Sequence, residues 1–376
     1  MAASTFKSKC AVVSSTANSD ISIKTFEIGA PPVDSIHVKV ELAGICGTDP
    51  HLWKGDMPLP ADILLGHEGV GEVVELHSSI TTDHVGQTLS KGDRVYWTAI
   101  RPCNKCYSCV ISDDECGCTS NGFMHPFDDV VASGQGTWAT YTQYATLGPR
   151  NAFFRISPDV PLDAYIALGC ALPTVVQAVR NMKHGGIQPG STVVVQGCGA
   201  VGLAAIMMAK IADADKVVAM DFNPARLAKA AQFGAQCIDM NNVNSLEGRA
   251  ATILNATGNR GVDLVIECSG HPSAVEEGLT LVGRKGTYLM IGTWAGKGNV
   301  PMDPFVVVNK AITIQGSTYC APADYYLATK IVERNWKRFP LASCVTHRFS
   351  LDETQAGLET VLAGKAVKAV IQPHDM

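Results

Sequence analysis

The chain has 376 residues, 46% hydrophobic and 17% charged: enough apolar content for a sizeable core, too little charge for a disordered chain. Thirty Lys and Arg against thirty-five Asp and Glu give a net charge of -5, which argues against the basic face of a nucleic-acid binder. The longest apolar stretches, around 193–211, are interrupted short of a membrane span, and Met1-Ala-Ala-Ser-Thr-Phe-Lys7 lacks the parts of a signal peptide, so a cytoplasmic protein of two or three domains is expected.

The first third reads as short strands and turns. Ile36-His-Val-Lys-Val-Glu-Leu42 alternates apolar and polar residues as a half-buried strand would, and Gly69 to Leu76 is similar. Pro58, Pro60, Gly66 and Lys91-Gly-Asp93 mark turns, and no helix period stands out before about Leu162, so the expectation is an irregular β domain. From about residue 160 the texture changes to strand–helix alternation. Strands are predicted at Thr192–Val195, Lys216–Met220, Val262–Cys268 and Gly286–Ile291, with helices over Val201–Ile211, Pro224–Phe233 and His271 to about Val282. Near-continuous apolar strands separated by helices predict a parallel sheet covered on both faces.

Gly197-Cys-Gly199-Ala-Val-Gly202 lies between such a strand and helix, and Asp221 ends the next strand nineteen residues after Gly202. Gly197 permits the tight turn, Gly199 lets backbone approach a pyrophosphate, and Gly202 allows close helix–strand contact. Asp221 suits ribose hydroxyls and repels a 2′-phosphate, favouring NAD, while Arg226 close by leaves NADP open.

Thirteen cysteines are many, and five fall between Cys103 and Cys118. Cys103-Asn-Lys-Cys106-Tyr-Ser-Cys109, with Cys116 or Cys118 as a fourth thiol, suits a closed structural zinc site; an iron–sulfur cluster and disulfides are the alternatives. Cys46, His67 and Cys170 would supply three ligands and leave a fourth position open. Each alone reads as an ordinary core residue, and spacing does not link them.

Together these segments resemble the zinc-dependent medium-chain alcohol dehydrogenases. The anchors run in the family's order: Gly44-Ile-Cys46-Gly-Thr48-Asp49, Gly66-His67-Glu68-Gly-Val-Gly71, Lys91-Gly-Asp-Arg-Val95, the cysteine run, Gly169-Cys170-Ala-Leu-Pro-Thr174 and the glycine turn with its acid. The resemblance implies an α/β chain with a β-rich, chaperonin-10-like catalytic domain over 1–171 completed by 315–376, and a doubly wound (Rossmann) cofactor domain over 172–314. It implies catalytic zinc on Cys46, His67 and Cys170 with Glu68 behind it, and structural zinc on Cys103, Cys106, Cys109 and Cys118, the last preferred over Cys116. Thr48 matches the hydroxyl that hydrogen-bonds the alcohol, His51 the base that passes its proton to solvent, and Asp49 the carboxylate that orients the ligand histidine. Thr174 falls where the family packs against nicotinamide, and Lys368 at a basic pyrophosphate contact.

The expected activity is NAD-linked interconversion of an alcohol with its aldehyde or ketone. Ala99, Met57, Trp97, Thr293 and Trp294 suggest roomy, apolar pocket walls and hence a bulky primary or secondary alcohol. Reduction of conjugated carbon–carbon double bonds on the same fold is the alternative chemistry, and a non-catalytic binding protein a more distant one. The family implies a homodimer or homotetramer, with Tyr288–Thr293 as a candidate interface.

Overall fold

The computed structural model describes residues 6–120, 125–292 and 299–374. It divides into two units: Met1–Cys170 with Cys320–Trp336 and Leu341–Met376, and Ala171–Tyr319 with Lys337–Pro340.

The first unit is β-rich. Its larger sheet has seven strands, in the order Val345–Ser350, Lys368–Gln372, Ile36–Gly44, Glu68–Leu76, Arg94–Trp97 and Phe153–Arg155, with Tyr144–Leu147 also paired to Ile36–Gly44. A four-stranded sheet runs Ser22–Ile28, Phe6–Val13, Ile63–Leu64 and His125–Pro126. Ile36, Val38, Val40, Val73, Val95 and Trp97 join one apolar cluster, so apolar residues two apart face it, as alternation dictates. The alternation is less clean than the sequence suggests. His37 is also buried, sharing hydrogen bonds with Gly29 O and Thr146 Oγ1, both at 3.0 Å. The strand is covered on both faces, and this imidazole is satisfied locally, as a buried polar group must be. Trp97, expected to wall a substrate pocket, is fully buried in the same cluster and is a core residue.

The second unit is a six-stranded, all-parallel sheet in the order Gln236–Asp239, Lys216–Asp221, Thr192–Gln196, Val262–Glu267, Val282–Met290 and Thr313–Gly316. Thr192–Gln196 is central, and the chain order reverses on either side of it. Such a switch point opens a crevice at the carboxyl ends of the strands. Val193, Val194 and Val195 are all fully buried, which is why this segment reads as an unbroken apolar run. The Tyr288 strand is interior, not an interface: it pairs with strands on both sides and Tyr288 is buried, whereas Thr313–Gly316 is the rim. No helix among the described residues is long and apolar enough to cross a membrane.

Candidate active site

The first cluster is built on the Thr48–Lys54 helix, which was not legible as a helical period because it is two turns long. Asp49, in its first turn, is fully buried; its Oδ2 accepts the Cys46 N–H at 2.9 Å and the Tyr141 hydroxyl at 2.7 Å. Its other oxygen lies 3.4 Å from His67 Nδ1. One carboxylate thus fixes the Cys46 backbone and faces the His67 ring, a charge arrangement that leaves Nε2 for another partner.

Cys170, more than a hundred residues away in sequence, arrives through a tight turn. Gly169 has φ +43, and Tyr96 donates to its carbonyl at 2.8 Å. The Cys170 N–H donates to Glu68 Oε1 at 2.9 Å, while Lys368 donates to Glu68 Oε2 and, at 3.2 Å, to Ile45 O. Lys368, expected at a pyrophosphate contact, is instead 3% exposed and locked onto Glu68. A methyl group added at Gly169 or Gly44 would collide with the Glu68 carboxylate, so two glycines make its cradle.

The result brings one ligand atom each from Cys46, His67, Glu68 and Cys170 within 4.8 Å of one another. The two sulfurs lie 3.6 Å apart. Two thiolates on tetrahedral zinc at about 2.3 Å each would stand about 3.8 Å apart, so the spacing fits that ion. Glu68 belongs to the cluster, yet both its oxygens already accept hydrogen bonds, one from the Cys170 N–H and one from Lys368. The hydrogen bond from Cys170, aided by the His67 charge, holds the Cys46 thiol well below its ordinary range, and the same bond holds Cys170 well above. Burial disfavours a charged His67, but Asp49 and Cys46 outweigh it and raise the imidazole well above its usual value. Thr48 Oγ1 is 3.7 Å from Cys46 Sγ, and His51, one turn on, pairs through Nδ1 with Asp56 at 2.6 Å.

The second cluster holds Cys103, Cys106, Cys109 and Cys118, again within 4.8 Å. The structure gathers Cys118 with the other three and leaves Cys116 outside. No disulfide forms among the five. Backbone N–H groups of Cys109 and Thr119 pull Cys106 down to about 6, while desolvation and Cys106 push Cys109 up to about 12. Four thiols gathered this closely suit a cation, whose binding would release their protons.

In the second unit, Gly197 adopts φ +91, and a side chain there would press within 3.1 Å of Ser269. Gly202 has no room for a Cβ against the Gly197 carbonyl, and the Ala200–Ile211 helix starts between them. Asp221 Oδ2 accepts the Cys198 N–H at 2.7 Å and its Oδ1 the Asn223 N–H at 2.8 Å. A cavity of about 520 Å³ opens over Gly197, Gly199, Asp221 and Arg226. The Arg226 Nε is buried without a hydrogen-bond partner among the described residues. Thr174 lies on the Ala171–Arg180 helix of this unit. In the first unit Ala99 is buried, its N–H donating to Tyr325 at 3.1 Å, and Met57 packs against the core. Thr293 and Trp294 lie outside the described residues. Sequence reasoning did not single out Tyr141, Asp56 or the Glu68 partnership of Lys368; nothing in local spacing marks them.

Residues 33–153 match the alcohol dehydrogenase GroES-like domain, and residues 200–334 match the zinc-binding dehydrogenase family. The chain belongs to the zinc-dependent medium-chain alcohol dehydrogenases. It is 37% identical to a 5-exo-hydroxycamphor dehydrogenase of Pseudomonas putida, over 93% of this chain and 95% of that one. A sorbitol dehydrogenase of Halalkalibacterium halodurans is 27% identical over 92% of this chain and 93% of its own. Among solved structures, an alcohol dehydrogenase from Thermotoga maritima superposes with a TM-score of 0.89 at 29% identity, covering 98% of this chain and all of that one. This member of the family is an α/β oxidoreductase of alcohols.

Proposed function

We propose that the protein is an NAD-dependent zinc alcohol dehydrogenase that oxidises a bulky, apolar primary or secondary alcohol, or reduces the matching carbonyl, and works in the cytoplasm as a homodimer or homotetramer. The single observation that carries this reading is the convergence of Cys46, His67 and Cys170 beside the Thr48 hydroxyl. When bound, zinc supplies Lewis acidity that makes an alcohol hydroxyl a proton donor near neutrality, and the dinucleotide supplies the hydride acceptor. Cys46, His67 and Cys170 would hold the metal, and Glu68 braces the Cys170 backbone without needing to bind it. Thr48 accepts a hydrogen bond from the substrate hydroxyl and hands the proton on to His51, which lies three residues later on the same helix face. The His51 side chain is 45% exposed, so it can release that proton to water. Cys103, Cys106, Cys109 and Cys118 would close around a second zinc with no open position. The glycine turn, with the N-terminus of the Ala200–Ile211 helix, suits a pyrophosphate, and Asp221 suits the ribose hydroxyls. The orphaned Arg226 Nε is the residue to watch for tolerance of NADP. A relative named for a bicyclic hydroxylated terpenoid supports the bulky-substrate reading.

The test is a screen of isoborneol, cyclohexanol, benzyl alcohol, ethanol and sorbitol with NAD and NADP in parallel, followed by absorbance of the reduced cofactor. Oxidation of the cyclic alcohols with NAD, abolished by chelation and restored by zinc, is expected. Enone reduction indifferent to chelation, with no alcohol oxidised, would overturn the reading.

A further inference from the structure

We infer that Asp56 is a positioning residue that sets which ring nitrogen of His51 accepts the proton, an inference that rests on the proposed Thr48–His51 relay. The helix carrying both residues stops at Gly55, which adopts φ +77. Two backbone bonds close the end: Gly55 N–H donates to Leu52 O at 3.1 Å, and Asp56 N–H to His51 O at 3.0 Å. That pair is a Schellman motif, which reverses the chain and satisfies carbonyls the helix end would leave unpaired. The reversal is what brings Asp56 to His51. On an uninterrupted helix, residues five apart point about 140° away from each other and do not meet. Here the Asp56 carboxylate sits 2.6 Å from His51 Nδ1. A Cβ at Gly55 would collide with Ala17, so the turn is also fixed from outside.

The chemistry follows from what each partner can do. An ionised carboxylate only accepts, so the neutral imidazole must carry its proton on Nδ1 and present the Nε2 lone pair. In the relay, the Thr48 O–H bond breaks as the Nε2–H bond forms, directly or through one water, and Thr48 takes the proton of the substrate hydroxyl in its place. The imidazole gains one positive charge beside the Asp56 carboxylate, which orients the ring without taking the proton. Asp49 cannot serve here, since its oxygens face Cys46, Tyr141 and His67.

The experiment has two arms. The first is ¹⁵N NMR of histidine-labelled protein at pH 8 without substrate: His51 is expected as the Nδ1–H tautomer, and as a mixture in Asp56→Asn. An Nε2–H tautomer in the wild type overturns the inference. The second is a double-mutant cycle on the best-oxidised alcohol of the panel above. Asp56→Asn should lower kcat about tenfold with KM within about twofold, Asp56→Glu should recover most of it, and His51→Gln should lose about a hundredfold. Added to His51→Gln, Asp56→Asn should lose nothing more. An undiminished Asp56→Asn effect in that background means a merely structural role and overturns the inference. An unchanged kcat in His51→Gln alone removes the relay instead, and the inference falls with it.

Discussion

The two thiol clusters of the first unit use similar donors in opposite surroundings. Cys46, His67 and Cys170 are drawn from three separate segments and held by partners that never need to touch a metal: Asp49, Tyr141, Glu68 and Lys368. Cys103, Cys106, Cys109 and Cys118 come from sixteen consecutive residues, and their hydrogen bonds run chiefly among themselves and to local backbone. The lobe cluster completes its own set of four donors. In the dispersed cluster the fourth residue, Glu68, already accepts the Cys170 N–H and the Lys368 ammonium, whereas the four thiols of the lobe stand together as one set.

The sharpest way to break this contrast is Cys46→Ser. It should lower kcat by about three orders of magnitude or more and remove about one of two zinc equivalents by elemental analysis, with the far-ultraviolet circular dichroism unchanged. Lys368→Met tests the bracing. It leaves the Glu68 charge buried and unpaired, so denaturant unfolding should show about 3–5 kcal/mol of lost stability, partly restored by adding Glu68→Gln. In the lobe, Cys118→Ser should release the other zinc equivalent and lower the melting temperature, with the remaining folded protein still active, whereas Cys116→Ser should stay within about 0.5 kcal/mol of the parent. Equal effects at Cys116 and Cys118 would refute the four-thiol assignment.

A further effect concerns acid. Burial, aided by Arg101, pushes His125 down to about 4. Its imidazole stacks on Trp138 with centroids 6.1 Å apart. A histidine depressed in the folded state contributes stability above its unfolded value near 6.5, and that stability is lost as pH falls toward 4. Urea unfolding of wild type and His125→Gln between pH 7 and 4 should differ in slope, with a wild-type loss of about 3 kcal/mol attributable to this ring.

The cofactor unit was the more legible of the two. Its four inner strands are apolar runs placed within a few residues by period and punctuation, and Val201–Ile211 was expected where Ala200–Ile211 is found, but the short outer strands Gln236–Asp239 and Thr313–Gly316 and the helix Leu246–Ala256 were not anticipated. The first unit hides its functional helix because seven residues, two of them Asp49 and His51, show no amphipathic period. Cys46, His67 and Cys170 could be linked only through resemblance, since the turn at Gly169 that unites them is a property of the folded chain. Lys368 shows the limit of motif reasoning: a basic residue near the end of a chain reads as a ligand contact until its buried partner is seen. Trp97 and Tyr288 were misplaced for a related reason, because apolar residues in strands look alike whether they face a pocket, an interface or the core.

The glycine cradle of Glu68 has a consequence for anyone wishing to reshape this catalyst. Positions 44 and 169 bear no reactive atom, yet neither can gain even one carbon without evicting the carboxylate and, with it, the lysine behind. Libraries aimed at widening substrate range would do best to leave both untouched, and natural variation there should be as meagre as at the thiols themselves.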